Sequence, residues 1–465
     1  MARPHPSCPV ATPLRTDAVR RLAAGVRRRL ERGPASGTWR VECIEVEAEV
    51  CEPLTWLAAQ TSPAKLYWHG RGEEEVLAGT GVADLIAGTG AAALDQVQGR
   101  LDRLTSSRVR YVGGLRFESL QPANPEWEAF GAARFVLPRV ELRRAGGRAR
   151  LAANLVLPRD AREVERVVAE IEGIRWPDAT RSAALPLPVA RTDAPGPEGW
   201  RQSIKAALHA FESTDLQKVV LARRARYEFD EPLDPFALTR RLEAATPACF
   251  HFLVQPVPGV AFVGASPERL FRRDGTALRS EAVAGTRPRG QSDAADAQLR
   301  DELRMSDKDQ REHGFVREQI RNVLTPFSET LDVESEASDM VLARGRHLYS
   351  GITATLKSDV RSLDLLRALH PTPAVGGTPT DAARAMIRTA EPFDRGWYAG
   401  PVGWVGKDAA EFAVGIRSGL VQEGATPSLA LYSGAGIVRG SEAGAEWAEI
   451  EHKISDFARV LGLDA

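Results

Sequence analysis

Hydrophobic and polar residues alternate along three early stretches: TWRVECIEVEAEV at 38–50, ARFVLPRVELRRA at 133–145 and RARLAANLVLP at 148–158. Period-two alternation predicts antiparallel strands with one face buried. Farther along, KVVLARRARYEF (218–229) and LYSGITATL (348–356) read as further strands, set among stretches at 294–325, 379–390 and 441–461 whose 3.6-residue repeat predicts helices. Strands and helices mixed without regular βαβ alternation indicate an α+β fold rather than a doubly wound one. Residues 186–199, PLPVARTDAPGPEG, hold four prolines and two glycines, the composition of a linker. The expected division is therefore an N-terminal β-rich region, 1–190, and a second region, 195–463. No internal repeat or low-complexity tract interrupts either.

Two helices carry charges in places that need an account. In the last one, Glu446, Glu449 and Lys453 fall within about 60° of one another at roughly 100° per residue, on the shoulder of the apolar stripe Ile450, Ile454 and Phe457. Taken alone, they read as i,i+4 pairing on a wet face. Glu451 points another way and reads as plainly solvated. In SDKDQREHGFVREQIRNVL (306–324), Glu312 lies in line with Phe315, Val316, Ile320 and Val323, and Asp309 continues that line one turn earlier. A carboxylate on a core-facing stripe is costly unless a cation or hydrogen-bond donors meet it. An arginine would serve. So would a divalent metal, and a few hard oxygen ligands completed by waters and a substrate anion suit Mg²⁺.

Further candidates lie on the strands. Lys218 opens the apolar run KVVLARR, where a desolvated lysine can work as a base. Glu268, in GASPERL, sits in a Ser-Pro turn after an apolar strand, a place suited to a general acid. Arg417 falls within EFAVGIRSGL, read as an apolar strand, where a guanidinium needs an anionic partner. The glycines of YSGAGIV (432–438) can bring backbone N–H groups close to an anion.

Composition narrows the function classes. In 465 residues, Lys plus Arg (61) nearly cancel Asp plus Glu (62), so no global field favours nucleic acid or an anionic membrane. The four cysteines, Cys8, Cys43, Cys51 and Cys249, lie far apart with no CxxC, which fits reduced thiols in a cytoplasm and argues against a sulfur-ligated metal. The longest apolar run, FHFLVQPVPGVAFVGA (250–265), is broken by proline and glycine and too short to span a membrane. The Arg-rich first 33 residues lack the serine of a transit peptide and read as a basic amphipathic surface helix.

Eight motifs in order, KVVLARR (218–224), GASPERLFRR (264–273), AGTRPRG (284–290), KDQREHGFV (308–316), LHPTPAVGGTP (369–379), RGWYAGPVGW (395–404), AVGIRSG (413–419) and GAGIVRGSEAGAEWAEIEHK (434–453), resemble the chorismate-using enzymes. That family includes isochorismate synthases, salicylate synthases and the synthase components for anthranilate and aminodeoxychorismate. The resemblance covers residues 195–463, with the N-terminal region matching only loosely, through stretches such as YWHGRGEEEVLAGTG (67–81). It implies the chorismate-binding-enzyme fold, large and mostly antiparallel sheets flanked by helices. A monomer is the default expectation, and the scattered cysteines point to a cytoplasmic protein.

The resemblance also implies roles. Glu312, Glu446 and Glu449 match the Mg²⁺-site glutamates, the metal holding the ring carboxylate of chorismate; Asp309 matches a neighbouring acidic position. Tyr398, Arg417 and the backbone of Gly434 match the residues that hold the enolpyruvyl carboxylate. Lys453 matches a charge-compensating lysine, and His347 and Ala374 match pocket positions. Lys218 matches the general base that activates water for attack at C2, and Glu268 the general acid that protonates the departing C4 hydroxyl. Three positions choose the branch: Lys218 where ammonia-using members have Gln, Ala284 where aminodeoxychorismate enzymes have a nucleophilic lysine, and Ala374 where pyruvate-eliminating members have Thr. Together they imply the conversion of chorismate to isochorismate, for menaquinone or else for a catecholate siderophore. Salicylate synthase is the alternative. A non-catalytic chorismate-binding module would need neither Lys218 nor Glu268.

Overall fold

The computed structural model describes residues 13–33, 37–73, 75–118, 124–177, 184–343 and 345–462. Cys8 lies outside them. Two antiparallel sheets, of 12 and 10 strands, organise the described residues. The first runs from Arg40–Ala48 through Arg148–Leu157, Val140–Ala145, Val76–Thr80, Lys65–His69, Phe250–Val257, Val260–Ser266, Ser418–Gln422, Ser428–Ile437 and Lys218–Glu228 to Gly377–Thr378. The second runs from Ser328–Val333 through Gly345–Leu356, Ala277–Pro288, Arg269–Asp274, Ala409–Val414, Pro401–Gly406, Arg110–Leu115 and Ala133–Leu137 to Asp84–Gly88. One contiguous apolar core runs through both. The expected α+β architecture is thus observed.

The proline-rich stretch 186–199 does not divide these sheets. Strands from before and after it pair directly, Lys65–His69 with Phe250–Val257 in the first sheet and Arg110–Leu115 with Pro401–Gly406 in the second. Its own residues Ala190–Ala194 form a strand on Lys218–Glu228.

The patterns behave as physics requires, with instructive exceptions. The early alternation produces strands, but Arg148–Leu157 alternates only at its start and is then buried continuously. The reason is the Arg-rich helix Pro13–Glu31, which packs on it and on Arg40–Ala48. That helix buries Ala18, Leu22, Val26 and Leu30 at helical spacing, while Arg29 bonds Glu42 (Nη2 to Oε1, 2.6 Å). The helical stretch expected at 294–325 is two helices, Asp293–Met305 and Asp307–Leu324. Ser306 is extended and separates them. Its hydroxyl accepts from Asp309 N at 3.3 Å, so a good N-cap starts the second helix instead of continuing the first. The last helix, Ala443–Leu461, ends on Gly462 at φ 69°, a left-handed position that glycine takes without steric cost.

A buried ion pair ties the strand Lys218–Glu228 to its surroundings. Arg395 Nε donates to Glu391 Oε2 (2.8 Å), and its other nitrogens donate to the carbonyls of Val220 (2.7 Å) and Val375 (2.9 Å). Glu391 Oε1 accepts from Ala222 N at 2.7 Å. Both side chains are almost wholly inaccessible, so removing one leaves a buried, uncompensated charge. Glu391→Ala is expected to destabilise the protein by about 3–5 kcal/mol, read as the shift in a urea unfolding curve.

Candidate active site

Twice the chain passes between sheets beside a deep cavity. Val260–Ser266 of the first sheet continues through Pro267 and Glu268 into Arg269–Asp274 of the second, and Ala409–Val414 of the second continues through Arg417 into Ser418–Gln422 of the first. These crossings lie side by side: Ala265 N donates to Arg417 O at 2.9 Å, and Val414 N donates to Glu268 O at 3.1 Å. Glu268 and Arg417 are therefore neighbours by backbone pairing. Two expectations are corrected here. Arg417 is not inside a strand but in the connection between two, at φ 49°, a left-handed conformation that non-glycine residues rarely hold. The Ser-Pro element at Glu268 is a passage between sheets rather than a reversing turn.

The cavity, about 100 Å³, is lined by Glu268, Glu312, His347, Ala374, Tyr398, Arg417, Gly434, Glu449 and Lys453, together with Ala284 and Asp309. Every residue expected at the site is thus on its wall except Lys218 and Glu446, which lie behind it. Lys218 is fully buried, its Nζ 3.0 Å from Glu312 Oε1. Gly436 makes that approach possible, since a Cβ there would come within 2.2 Å of Glu312 Oε1 and 3.2 Å of Lys218 Cε. Tyr398 stacks on Tyr432, with centroids 5.3 Å apart, and its hydroxyl faces Gly434, where a Cβ would lie 3.2 Å away.

Each acidic side chain around the metal-like cluster carries its own cation. Lys308 Nζ is 2.5 Å from Glu446 Oε1, Lys453 Nζ is 2.7 Å from Glu449 Oε1 and 3.0 Å from Gly434 O, and Arg287 Nη2 is 2.9 Å from Asp309 Oδ2. Burial acts against the Glu449 anion, but Lys453, with Lys308 and Arg287 farther off, still holds its carboxyl below the usual range. Glu446 goes the other way. Burial raises its carboxyl against the pull of Lys308, the like charge of Glu449 adds to the rise and Ser441 opposes it, and its buried Oε2 has no partner within hydrogen-bond distance. A hard divalent cation would satisfy that one orphaned oxygen.

Glu268 and His347 are both strongly displaced on the wall. Burial, reinforced by the charge of Glu281, pushes the Glu268 carboxyl up to about 8 against the pull of Lys218 and Arg71. It is therefore protonated near neutral pH. Burial, with Arg417 beside it, lowers His347 to about 3, which keeps the ring neutral. Its Nδ1 lies 3.1 Å from the carbonyl of Gly285 and 3.0 Å from Thr286 Oγ1, which assigns the ring proton to Nδ1. Gly285, at φ 72°, forms the bulge in the strand pair that exposes its carbonyl this way.

Several contributors are not marked in the sequence. Lys308 adjoins an acidic run and reads as a surface residue. Arg71 belongs to the loosely matched N-terminal region, yet it donates to the Pro267 carbonyl and pairs with Glu281 (2.9 Å) beside the Glu268 passage. The sequence offers one cue to it, its place in YWHGRGEEE. Glu451, expected to be merely solvated, is instead paired with Arg191 at 2.8 Å and with the buried Arg223. Arg223 also stacks on Trp447 at 3.8 Å, which anchors the helix that carries Glu446 and Glu449.

A protonated carboxyl and a lysine–carboxylate pair meeting at one buried cavity define an acid–base enzyme of the antiparallel α+β class. The chorismate binding enzyme family profile matches residues 31–462, and the chain belongs to that family. It is 37% identical over 366 residues to Isochorismate synthase 2, chloroplastic, of Arabidopsis thaliana, covering 77% of this chain and 65% of that protein, so it spans slightly less than two thirds of that relative's length. It is 34% identical over 420 residues to Isochorismate synthase MenF of Escherichia coli, covering 89% and 91% of the two chains. The solved structure of MenF, described as the menaquinone-specific isochorismate synthase from Escherichia coli, superposes with a TM-score of 0.82 at 31% identity, over 96% of this chain and 100% of that one.

The displaced carboxyl gives a direct expectation. A proton donor with a folded-state pKa near 8 is active below that value and is lost as pH rises through it. Turnover is expected to fall on the alkaline side with an apparent pKa near 8, and Arg71→Ala, which removes one cation acting on Glu268, should move that limb upward. An unmoved limb would assign it to another group.

Proposed function

We propose that the protein is an isochorismate synthase that converts chorismate to isochorismate. The observation that carries this reading is Glu268, protonated near neutrality on the wall of a cavity that it shares with Glu312, the partner of the buried Lys218. Isochorismate formation needs that combination. The oxygen of a water molecule bonds to C2 as Lys218, in its uncharged amine form, takes a proton from it, the ring double bonds shift, and the C4–oxygen bond breaks as Glu268 protonates the departing hydroxyl. Hydroxide is a poor leaving group, so a donor already protonated at working pH lowers the cost of that step.

The remaining wall orients an anionic substrate. Arg417, with the Tyr398 hydroxyl and the backbone at Gly434, meets the enolpyruvyl carboxylate, and Lys453 offsets further negative charge. His347, neutral and held by the Gly285 carbonyl, shapes the pocket without adding charge. Ala284 and Ala374 offer neither a nucleophile nor a hydroxyl, which supports a reaction that stops at hydroxyl transfer. Glu312, Glu446 and Glu449 would hold Mg²⁺, which when bound neutralises and orients the ring carboxylate. The names of the similar proteins support the activity, and the menaquinone specificity ascribed to the Escherichia coli enzyme supports menaquinone as the use of the product. The reading includes a cytoplasmic monomer; no helix of the described residues is long and apolar enough to cross a membrane.

With chorismate and Mg²⁺, the purified protein is expected to yield isochorismate reversibly, followed by chromatography, and chelation with EDTA to stop turnover. Salicylate and pyruvate as main products would make it a salicylate synthase instead. Lys218→Ala is expected to keep chorismate binding within a few-fold while turnover falls by about 10²–10⁴, as loss of a positioned base does. Equal loss of binding and turnover would make Lys218 a ligand contact.

A further inference from the structure

A second cluster of ligating side chains lies on different elements from the cavity. His69 and His251 face each other across the antiparallel pair Lys65–His69 and Phe250–Val257, with ring centroids 5.9 Å apart. Glu243, on the helix Pro235–Ala245, completes the group. A ring nitrogen of each histidine and a carboxylate oxygen of Glu243 lie within 4.8 Å of one another.

The hydrogen bonds around the cluster leave one ring nitrogen without a partner. Thr246 Oγ1 spends its hydrogen on Leu242 O at 2.5 Å, so at 3.0 Å from His251 Nε2 it can only accept. His251 Nε2 therefore carries the proton, and Nδ1 is left basic, buried and without a partner in a residue only 2% exposed. His69 differs by one proton. Its Nε2 lies 3.1 Å from the Glu73 carbonyl and its Nδ1 2.7 Å from Glu243 Oε1, a hydrogen bond whose shared proton an ion would replace. Tyr67 donates its hydroxyl to the same Glu243 oxygen at 2.5 Å. Two imidazoles whose outer N–H groups are held by a carbonyl and a hydroxyl, with a carboxylate oriented by a phenol, form the ligand shell and support of a transition-metal site.

We infer that His69, His251 and Glu243 bind a Zn²⁺-class ion, with solvent as fourth ligand. Two imidazole nitrogens and one carboxylate suit Zn²⁺ in a tetrahedron, where ligand atoms stand roughly 3.4 Å apart for bonds of about 2.0–2.1 Å. Closure replaces the proton shared by His69 and Glu243, widens their 2.7 Å contact and draws His251 in. His69 and Glu243 retain 28% and 21% side-chain exposure, which provides entry and a place for the water. The site lies on the seam where strands from before residue 190 meet those from after it, and the ion would staple that seam to the helix Pro235–Ala245. This inference is independent of the proposed reaction.

The full chain, stripped with chelator, should be titrated with Co²⁺ alone and then with Zn²⁺ alone. One equivalent of Co²⁺ is expected to give the intense visible bands of a four-coordinate site, whereas an ion held by the cavity carboxylates would be six-coordinate and nearly colourless. Zn²⁺ should displace those bands and raise the thermal unfolding midpoint. His69→Ala, at the partly exposed ligand, should abolish both responses even if His251→Ala fails to fold. Thr246→Val should weaken Zn²⁺ binding by about tenfold or more, as loss of a supporting hydrogen bond does. Glu449→Gln should leave the bands intact. No intense bands in the wild type, or unchanged bands in His69→Ala, would overturn the site and leave a His69–Glu243–Tyr67 hydrogen-bond cluster.

Discussion

The backbone pairing of the two passages between sheets is the constraint on which the cavity depends. Because Ala265 bonds Arg417 and Val414 bonds Glu268, the acid and the guanidinium cannot move relative to one another without breaking both ladders. The cost is visible at Arg417, whose φ of 49° is held by strand pairing on either side. A side chain that would otherwise lie along a sheet face is thereby turned into the cavity. The N-terminal half contains a similar pair of short passages, Thr80 to Asp84 and Leu137 to Val140, where Ala83 N donates to Leu137 O at 2.8 Å. There the buried Arg139 is closed onto Asp160 at 2.6 Å. Related geometry thus serves packing in one half, where Arg139 closes onto Asp160, and borders a cavity in the other, where Arg417 lies on the wall.

Electrostatics at the cavity follow from burial more than from the number of charges. Lysines and arginines match the acidic residues nearly one to one, and each pair is close enough to offset part of its desolvation. Glu268 is the exception: for it, burial and the charge of Glu281 outweigh the pull of Lys218 and Arg71, so it stays neutral. Glu446 is an intermediate case, with one oxygen on Lys308 and the other unmet. A site arranged in this way holds a proton on one side and an unmet carboxylate oxygen on the other.

The local terms of this arrangement are readable in the sequence and the distant ones are hidden. Helical periodicity alone puts Glu446, Glu449 and Lys453 on one shoulder and Glu312 on a core-facing line, because those relations lie within a single helix. It cannot show that each glutamate has a lysine of its own, since Lys308 and Glu446 are 138 residues apart. Glu451 reads as solvated for the same reason, its partners Arg191 and Arg223 being 260 and 228 residues away. Arg417 looks like a strand residue because the apolar runs on both sides of it are strands, and nothing in their composition marks a change of sheet. The split at Ser306 is local, but helical periodicity passes across a capping serine.

The proline-rich stretch at 186–199 suggests that the halves are separable, and the reason it misleads is chemical. Proline and glycine report how a segment is connected, not which strands pair around it. Here the N-terminal strands supply one side of both sheets, and Arg71, from the turn after Lys65–His69, reaches the Pro267 carbonyl and Glu281. Burial and the charge of Glu281 raise the Glu268 carboxyl, and Arg71 limits that rise by opposing Glu281. The N-terminal half therefore belongs to the acid's environment as much as the segment that carries the acid does, and a shared sheet is the arrangement that keeps Arg71, Glu281 and Glu268 in a fixed relation.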